Sequence, residues 1–169
     1  LGQATLNVPA RSVAEEKVNK VEISMVLDIS GSMRHNSKME NLQAAAGVFI
    51  DTVLKQENEN LISVSVVPYT AQVNAGRGIV DELNVIQTHD YSYCVDFKNS
   101  DFQDTAISQA TSYEHMQHFD EGWSWNGDRN GRNGITEFDN IDNPGCPKRS
   151  YEEIEAFSQD AAGLKARIN

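Results

Sequence analysis

One stretch of this sequence sets three oxygen donors at alternate positions, Asp28-Ile29-Ser30-Gly31-Ser32. One carboxylate and two hydroxyls suit a hard divalent cation such as Mg²⁺, which favours octahedral oxygen coordination and retains waters. Mn²⁺ and Ca²⁺ are the alternatives. The same residue types also make ordinary helix caps and turns, so the surrounding elements must decide between the readings. Gly31 is expected to permit a tight backbone path between the donors.

Other residues offer weaker chemistry. Asn126, Asp128, Asn130, Gly131 and Glu137 occupy positions one, three, five, six and twelve of a Ca²⁺-binding loop pattern. Asn at the first position and Asn133 at the eighth depart from it, and an Asn/Gly-rich surface loop is the simpler reading. His115 and His118, with Glu114, could share a helix face and bind a transition metal. No third ligand stands at a characteristic spacing, so hydrogen-bonded or solvated histidines are expected instead. Trp123, Trp125, Tyr91 and Tyr93 either form an exposed patch for protein or glycan contact or pack the segment that carries them onto the domain. Cys94 and Cys146 are too far apart for a metal knuckle. They are expected to form one bridge closing the polar segment between them, which would indicate an oxidising compartment; two unrelated thiols are the alternative. No nucleophile motif, phosphate-binding loop or dinucleotide fingerprint occurs, which argues against an enzyme.

The elements around Asp28 are legible. Val21 to Leu27 alternates and then becomes continuously apolar, as a strand covered on both faces does. Met39, Leu42, Ala46, Phe49, Ile50 and Val53 then recur at helical spacing, with Glu40, Asn41, Gln43 and Lys55 off the stripe. Leu61 to Val67 is rich in β-branched residues and bounded by Pro68, a second buried strand. Strand, helix and strand in this order predict a βαβ unit with parallel strands and a right-handed crossover. In open α/β sheets ligands bind beyond the carboxyl ends of such strands, which is where Asp28 falls. Weaker signals suggest strands at Thr5–Val8 and across Ala71–Asn74 and Ile79–Val80. Residues 88–149 lose periodicity and read as an insertion or elaborated loop, too long for a plain connection. Ser158 to Ile168 reads as a helix, with Ala161, Leu164 and Ile168 on one face.

Val26-Leu27-Asp28-Ile29-Ser30-Gly31-Ser32-Met33, with its strand before and helix after, resembles the first metal-ion-dependent adhesion motif of von Willebrand factor A (VWA) domains. The resemblance implies a Rossmann-like α/β fold, a mainly parallel sheet flanked by helices. It divides the chain into an N-terminal extension (1–20), the first half of the VWA domain (21–87), the insertion (88–149) and a helix returning to the domain (150–169). The family completes its metal site with a Thr and an Asp from later loops. Only Asp28, Ser30 and Ser32 can be carried over, so the sheet is expected to be incomplete on its C-terminal side and this stretch alone to bind metal weakly. Val66-Val67-Pro68-Tyr69-Thr70-Ala71, and Cys146-Pro147 followed by Asp160, Leu164, Lys165 and Ile168-Asn169, resemble TadG-like proteins of the bacterial tight-adherence pilus machinery. That implies a protein of the bacterial envelope, periplasmic or extracellular, anchored in a membrane by a segment outside this chain. The partners implied are a protein offering an acidic side chain to the metal, and the remainder of the same VWA domain.

Composition narrows the classes further. The 169 residues carry 14 Lys and Arg against 25 Asp and Glu, a net charge of −11. Phosphate backbones and anionic membrane surfaces reward the opposite balance, so no nucleic-acid partner is expected. No run approaches the roughly 18 apolar residues that span a bilayer. The first residues, Leu1-Gly2-Gln3-Ala4-Thr5, lack the pattern of a signal peptide, and in the absence of an initial Met an upstream segment is expected to have been removed.

Overall fold

The computed structural model describes residues 19–58, 60–103, 105–116, 145–147 and 149–169. They form a mixed α/β structure with two small sheets. Strand β1 (Val21–Asp28) leads through a 3-10 turn (Gly31–Arg34) into helix α1 (Lys38–Val53) and then strand β2 (Ile62–Tyr69). The two strands are parallel and pair in unbroken register from Val21↔Ile62 to Asp28↔Tyr69. This is the expected βαβ unit. The alternation of β-branched residues sets which side chains meet, because a one-residue slip would turn every apolar side chain to the wrong face.

Helix α2 (Arg77–Glu82) follows, then strands β3 (Val85–Ile86), β4 (Val95–Asp96), β5 (Tyr113–His115) and β6 (Glu155–Ser158), and helix α3 (Ala161–Ile168). The first sheet has the order β1-β2-β6 and the second β3-β5-β4. β6 runs antiparallel to β2 with an irregular register between Val64 and Val66. The described sheet is therefore mixed, with the eight-residue parallel β1–β2 ladder its longest pairing. Pro68 does not bound β2 but lies within it. The Tyr69 carbonyl accepts from Ile29 N–H of the β1 side at 2.8 Å. Alternation then points the nitrogen of Pro68 to the other edge, beyond the last β2–β6 pair, where a missing N–H costs no ladder bond.

Helices α1 and α3 cover one face of this sheet. Ile50, Val64, Val66 and Leu164 make its buried centre, flanked by Ile23, Met25, Leu27, Val53, Ala161 and Ile168. Lys165 ties α3 to α1 through Asp51 at 2.6 Å, and the Gln43 side-chain amide donates to the Ile168 carbonyl at 2.9 Å. Coverage of β1 on both faces is not realised: Val26, on the far face, stands 62% exposed. Among the described residues β1 pairs with β2 alone. Among those residues nothing pairs with its outer edge, a row of main-chain donors and acceptors.

The second sheet has its own core of Val80, Val95 and Tyr113, against which Ala75, Val85, Tyr93 and Phe97 pack. One reading of this part is corrected. Ile79 and Val80 are helical, because Gly76 (φ 77°) turns the chain and the Gly76 carbonyl accepts from Val80 N–H at 3.1 Å. Residues 85–86 pair with 113–114, so part of the 88–149 segment is ordered as sheet. Near the C-terminus, Glu155–Ser158 is strand and not helix. Helix α3 starts later because Asp160 is its N-cap, accepting from Ala162 and Gly163 N–H at 3.1 and 3.0 Å. The signals at Thr5–Val8 lie outside the described residues. No described helix is long and apolar enough to cross a membrane.

Candidate functional site

Asp28 closes β1, and its loop rises at the carboxyl end of the parallel pair. Ser30 N–H donates to Asp28 Oδ1 at 2.8 Å. The hydroxyl oxygens of Ser30 and Ser32 lie 3.2 Å apart. Ser30 holds the N-cap position of the 3-10 turn yet makes no side-chain capping bond, and Ser37 caps α1 with no side-chain bond either. The Ser30 hydroxyl is thus not engaged as a helix cap, while its N–H bond to Asp28 is an Asx-type turn. Asp28 and Ser30 are half-buried and Ser32 is exposed, so all three can meet a solvated ion.

Hydrogen bonds from the Ser30 side chain and then its backbone hold the Asp28 carboxyl below its ordinary value; Lys38 adds a weaker pull and burial opposes. Asp28 is therefore ionised at neutral pH, the form a metal ligand needs. Three hard donors account for half of an octahedron and leave positions for waters or a partner's oxygen. The donor set fits Mg²⁺ in part. Among the described residues no group of three or more His, Cys, Asp and Glu converges to hold a metal.

Gly31 plays a different part from the one expected. Its φ is not positive, and a Cβ built there meets nothing within 4 Å. The left-handed residues of this loop are Asn36 and Ser37, with φ of 58° and 51°. They, and not Gly31, set the path into α1.

A cavity of about 420 Å³ lies near this loop, its wall including Leu27, Ile29, Met39, Leu42, Val66 and Pro68. Strand alternation turns Leu27 and Ile29 to the helix side and Asp28 away. The cavity therefore belongs to the opposite face and does not hold the candidate metal.

The remaining candidates separate. Cys94 and Cys146 are bonded, with Cα atoms 5.9 Å apart across a sequence separation of 52. His115 is on strand β5 and not on a helix face, because Tyr113–His115 pairs with β3 and β4. It is buried, and its Nε2 donates to the Ser92 carbonyl at 2.8 Å. Glu114 points the other way and pairs with Lys98 at 2.7 Å, so the two cannot share a metal. Tyr93 packs on the second core, as the packing alternative has it, and the Tyr91 ring lies 5.8 Å from that of His89. His118, Trp123, Trp125, Asn126, Asp128, Asn130, Gly131 and Glu137 lie outside the described residues.

Three residues carry more than their sequence context indicated. Asn74 is fully buried, donates to the Pro147 carbonyl at 2.6 Å and accepts from Gly76 N–H at 2.9 Å. Its Asn-x-Gly context, the mark of an Asx turn, was the available signal. His89 stacks on His115 with centroids 4.0 Å apart, which no spacing revealed. Thr70, one residue past the register partner of Asp28, has a buried hydroxyl without a hydrogen-bond partner. Compared with protein-family models, curated proteins and solved structures, the chain matches none.

Proposed function

We propose that this chain is part of a metal-ion-dependent binding or assembly module of VWA type, and not an enzyme. The observation that carries the reading is the β1–α1–β2 unit with Asp28, Ser30 and Ser32 gathered at the carboxyl end of β1, their hydroxyls uncommitted to capping. Asp28, Ser30 and Ser32 would hold Mg²⁺, with Mn²⁺ or Ca²⁺ as substitutes. An acidic side chain of a protein partner would fill an open coordination position, drawn there by the ion's charge. The resemblance to TadG-like pilus-assembly proteins supports a place in the bacterial envelope, periplasmic or extracellular, with membrane anchoring by a segment outside this chain. The buried Cys94–Cys146 bridge is compatible with such an oxidising location.

The remainder of the same VWA domain is the second partner. The outer edge of β1, unpaired among the described residues, and the exposed Val26 beside it support this, since a further strand there would satisfy the edge and cover apolar area at about 25 cal/mol per Å². Calorimetric titration of the complete domain with Mg²⁺ tests the reading. Saturable heat that Asp28→Ala removes, together with partner binding abolished by EDTA, is expected. Partner binding unchanged in EDTA would sink it.

A second reading is a structural pilus-associated domain with a vestigial metal site, favoured by the single carboxylate among three donors. It predicts no heat and no thermal shift with Mg²⁺. A third, a metal-dependent hydrolase, requires turnover that chelators abolish.

A further inference from the structure

His89 and His115 lie nearly face to face, ring centroids 4.0 Å apart and planes 31° from parallel. Each is held at both nitrogens. His115 Nε2 meets the Ser92 carbonyl at 2.8 Å, and its Nδ1 accepts from Thr88 N–H at 3.1 Å. His89 Nε2 meets the Met116 carbonyl at 2.8 Å, and its Nδ1 accepts from Tyr91 N–H at 3.3 Å. Carbonyl oxygens only accept, so both rings carry their proton on Nε2 and are neutral. The bonds are reciprocal: the ring from residue 89 reaches the end of β5, and the ring from β5 reaches residues 88 and 92. Together they clasp the 88–92 loop to β5.

Among the described residues few charges compensate a proton there. His115 is 3% exposed. On its side of the second sheet stand Val95, its β4 partner, and the Tyr113 ring. The charged residues of β4 and β5, Asp96 and Glu114, are exposed on the other side, where Lys98 pairs with Glu114. The loop adds Asp90, which is exposed, and Tyr91 beside His89. Burial pushes the His115 imidazole below its ordinary value, the Ser92 carbonyl opposes this, and His89 pushes it further down.

We propose that the stacked His89–His115 pair is an acid-sensitive clasp that releases the 88–92 loop and frays the β3-β5-β4 sheet while the β1-β2-β6 sheet persists. Taking a solvent proton on Nδ1, His115 loses its acceptor, sets an N–H against Thr88 N–H and places a cation against the His89 ring. A histidine with a depressed folded value contributes stability that is complete above its unfolded value of 6.5. That contribution is lost as pH falls from there through the folded value. Above about pH 5 most carboxylates stay ionised, so the window isolates histidine.

Amide hydrogen exchange by NMR between pH 7.5 and 5, corrected for intrinsic rates, tests the clasp on the wild-type chain. Protection over residues 88–96 and 113–116 should fall severalfold while that over 62–67 holds, in step with the His115 ring resonance. A uniform fall in both sheets, or protonation of His115 without loosening of 88–96, would overturn it. His115→Gln keeps one donor and one acceptor and should remove the pH dependence; retained dependence in that variant also overturns it. Should that variant fail to fold, the wild-type titration decides.

Discussion

The side-chain amide of Asn74 donates to the main-chain carbonyl of Pro147 at 2.6 Å, across 73 residues of sequence. It is one of several ties at this point. The Asn74 carbonyl accepts from Ile154 N–H at 3.0 Å, and an isolated parallel bridge joins Asn74 to Glu153. The neighbouring Ala75 N–H donates to the Tyr93 carbonyl at 3.0 Å. One short stretch after β2 thus holds the disulfide peptide at residues 146–147, the approach to β6 and the segment entering β4.

Asn74→Ala removes both side-chain bonds and leaves the Pro147 carbonyl and Gly76 N–H without their partner in a buried place. The expected loss is about 2–4 kcal/mol, from two hydrogen bonds and the desolvation of the groups left behind. Asn74→Asp should do no better, because it sets a carboxylate oxygen against the Pro147 carbonyl. Urea unfolding measures both, and a loss under about 1 kcal/mol for the alanine variant contradicts the assignment.

Gly31 separates a conformational role from one in ligand approach. With no positive φ and open space around its Cα, Gly31→Ala should change stability by less than about 0.5 kcal/mol. Thermal unfolding without added metal reads this directly. A large destabilisation would show that the loop path does depend on glycine.

Reducing the Cys94–Cys146 bond opens a loop with a sequence separation of 52. Loop-closure entropy sets the loss at about 4 kcal/mol, an upper figure because denatured chains retain structure. Both sulfurs belong to residues buried beside the second sheet, so amide protection there should vanish at lower denaturant than in β1 and β2. Equal loss in both sheets would show instead that the two unfold as one unit.

At the start of α3 two effects of similar size oppose each other. Replacing a helical glycine by alanine ordinarily gains about 1 kcal/mol. A Cβ at Gly163, however, would sit 2.5 Å from Asp160 Oδ2, displacing the carboxylate that caps Ala162 and Gly163 N–H. Loss of such a cap costs about 1 kcal/mol, so Gly163→Ala should be near neutral. Asp160→Ala alone should lose about 1 kcal/mol, and in that background Gly163→Ala should become stabilising. A double-mutant cycle with no coupling would refute the competition.

How far the sequence was legible follows the range of the forces involved. The strand at 21–28, the helix stripe through Ala46 and Ile50 and the strand beginning at 62 were readable because periodicity is local and one buried face enforces it. Asp28, Ser30 and Ser32 are contiguous with that pattern, so their gathering followed from it. Pairing among short strands was not readable. Val85–Ile86 and Tyr113–His115 are two and three residues long, below the length at which alternation is visible. Their strand character comes from partners far along the chain. The same holds for His115, whose helical reading rested on spacing to His118 and was overturned by pairing with Val95.

By itself, then, the sequence determined the βαβ unit and the oxygen-donor turn at its carboxyl end, because local hydrophobic period and turn chemistry suffice for both. Only the tertiary structure decided that Ser30 and Ser32 are uncommitted to capping, that Gly31 is not a conformational necessity, that Asn74 joins distant segments, and that His89 stacks on His115. Each of these depends on where side chains and main chain come to lie in three dimensions, and neither residue type nor spacing encodes that.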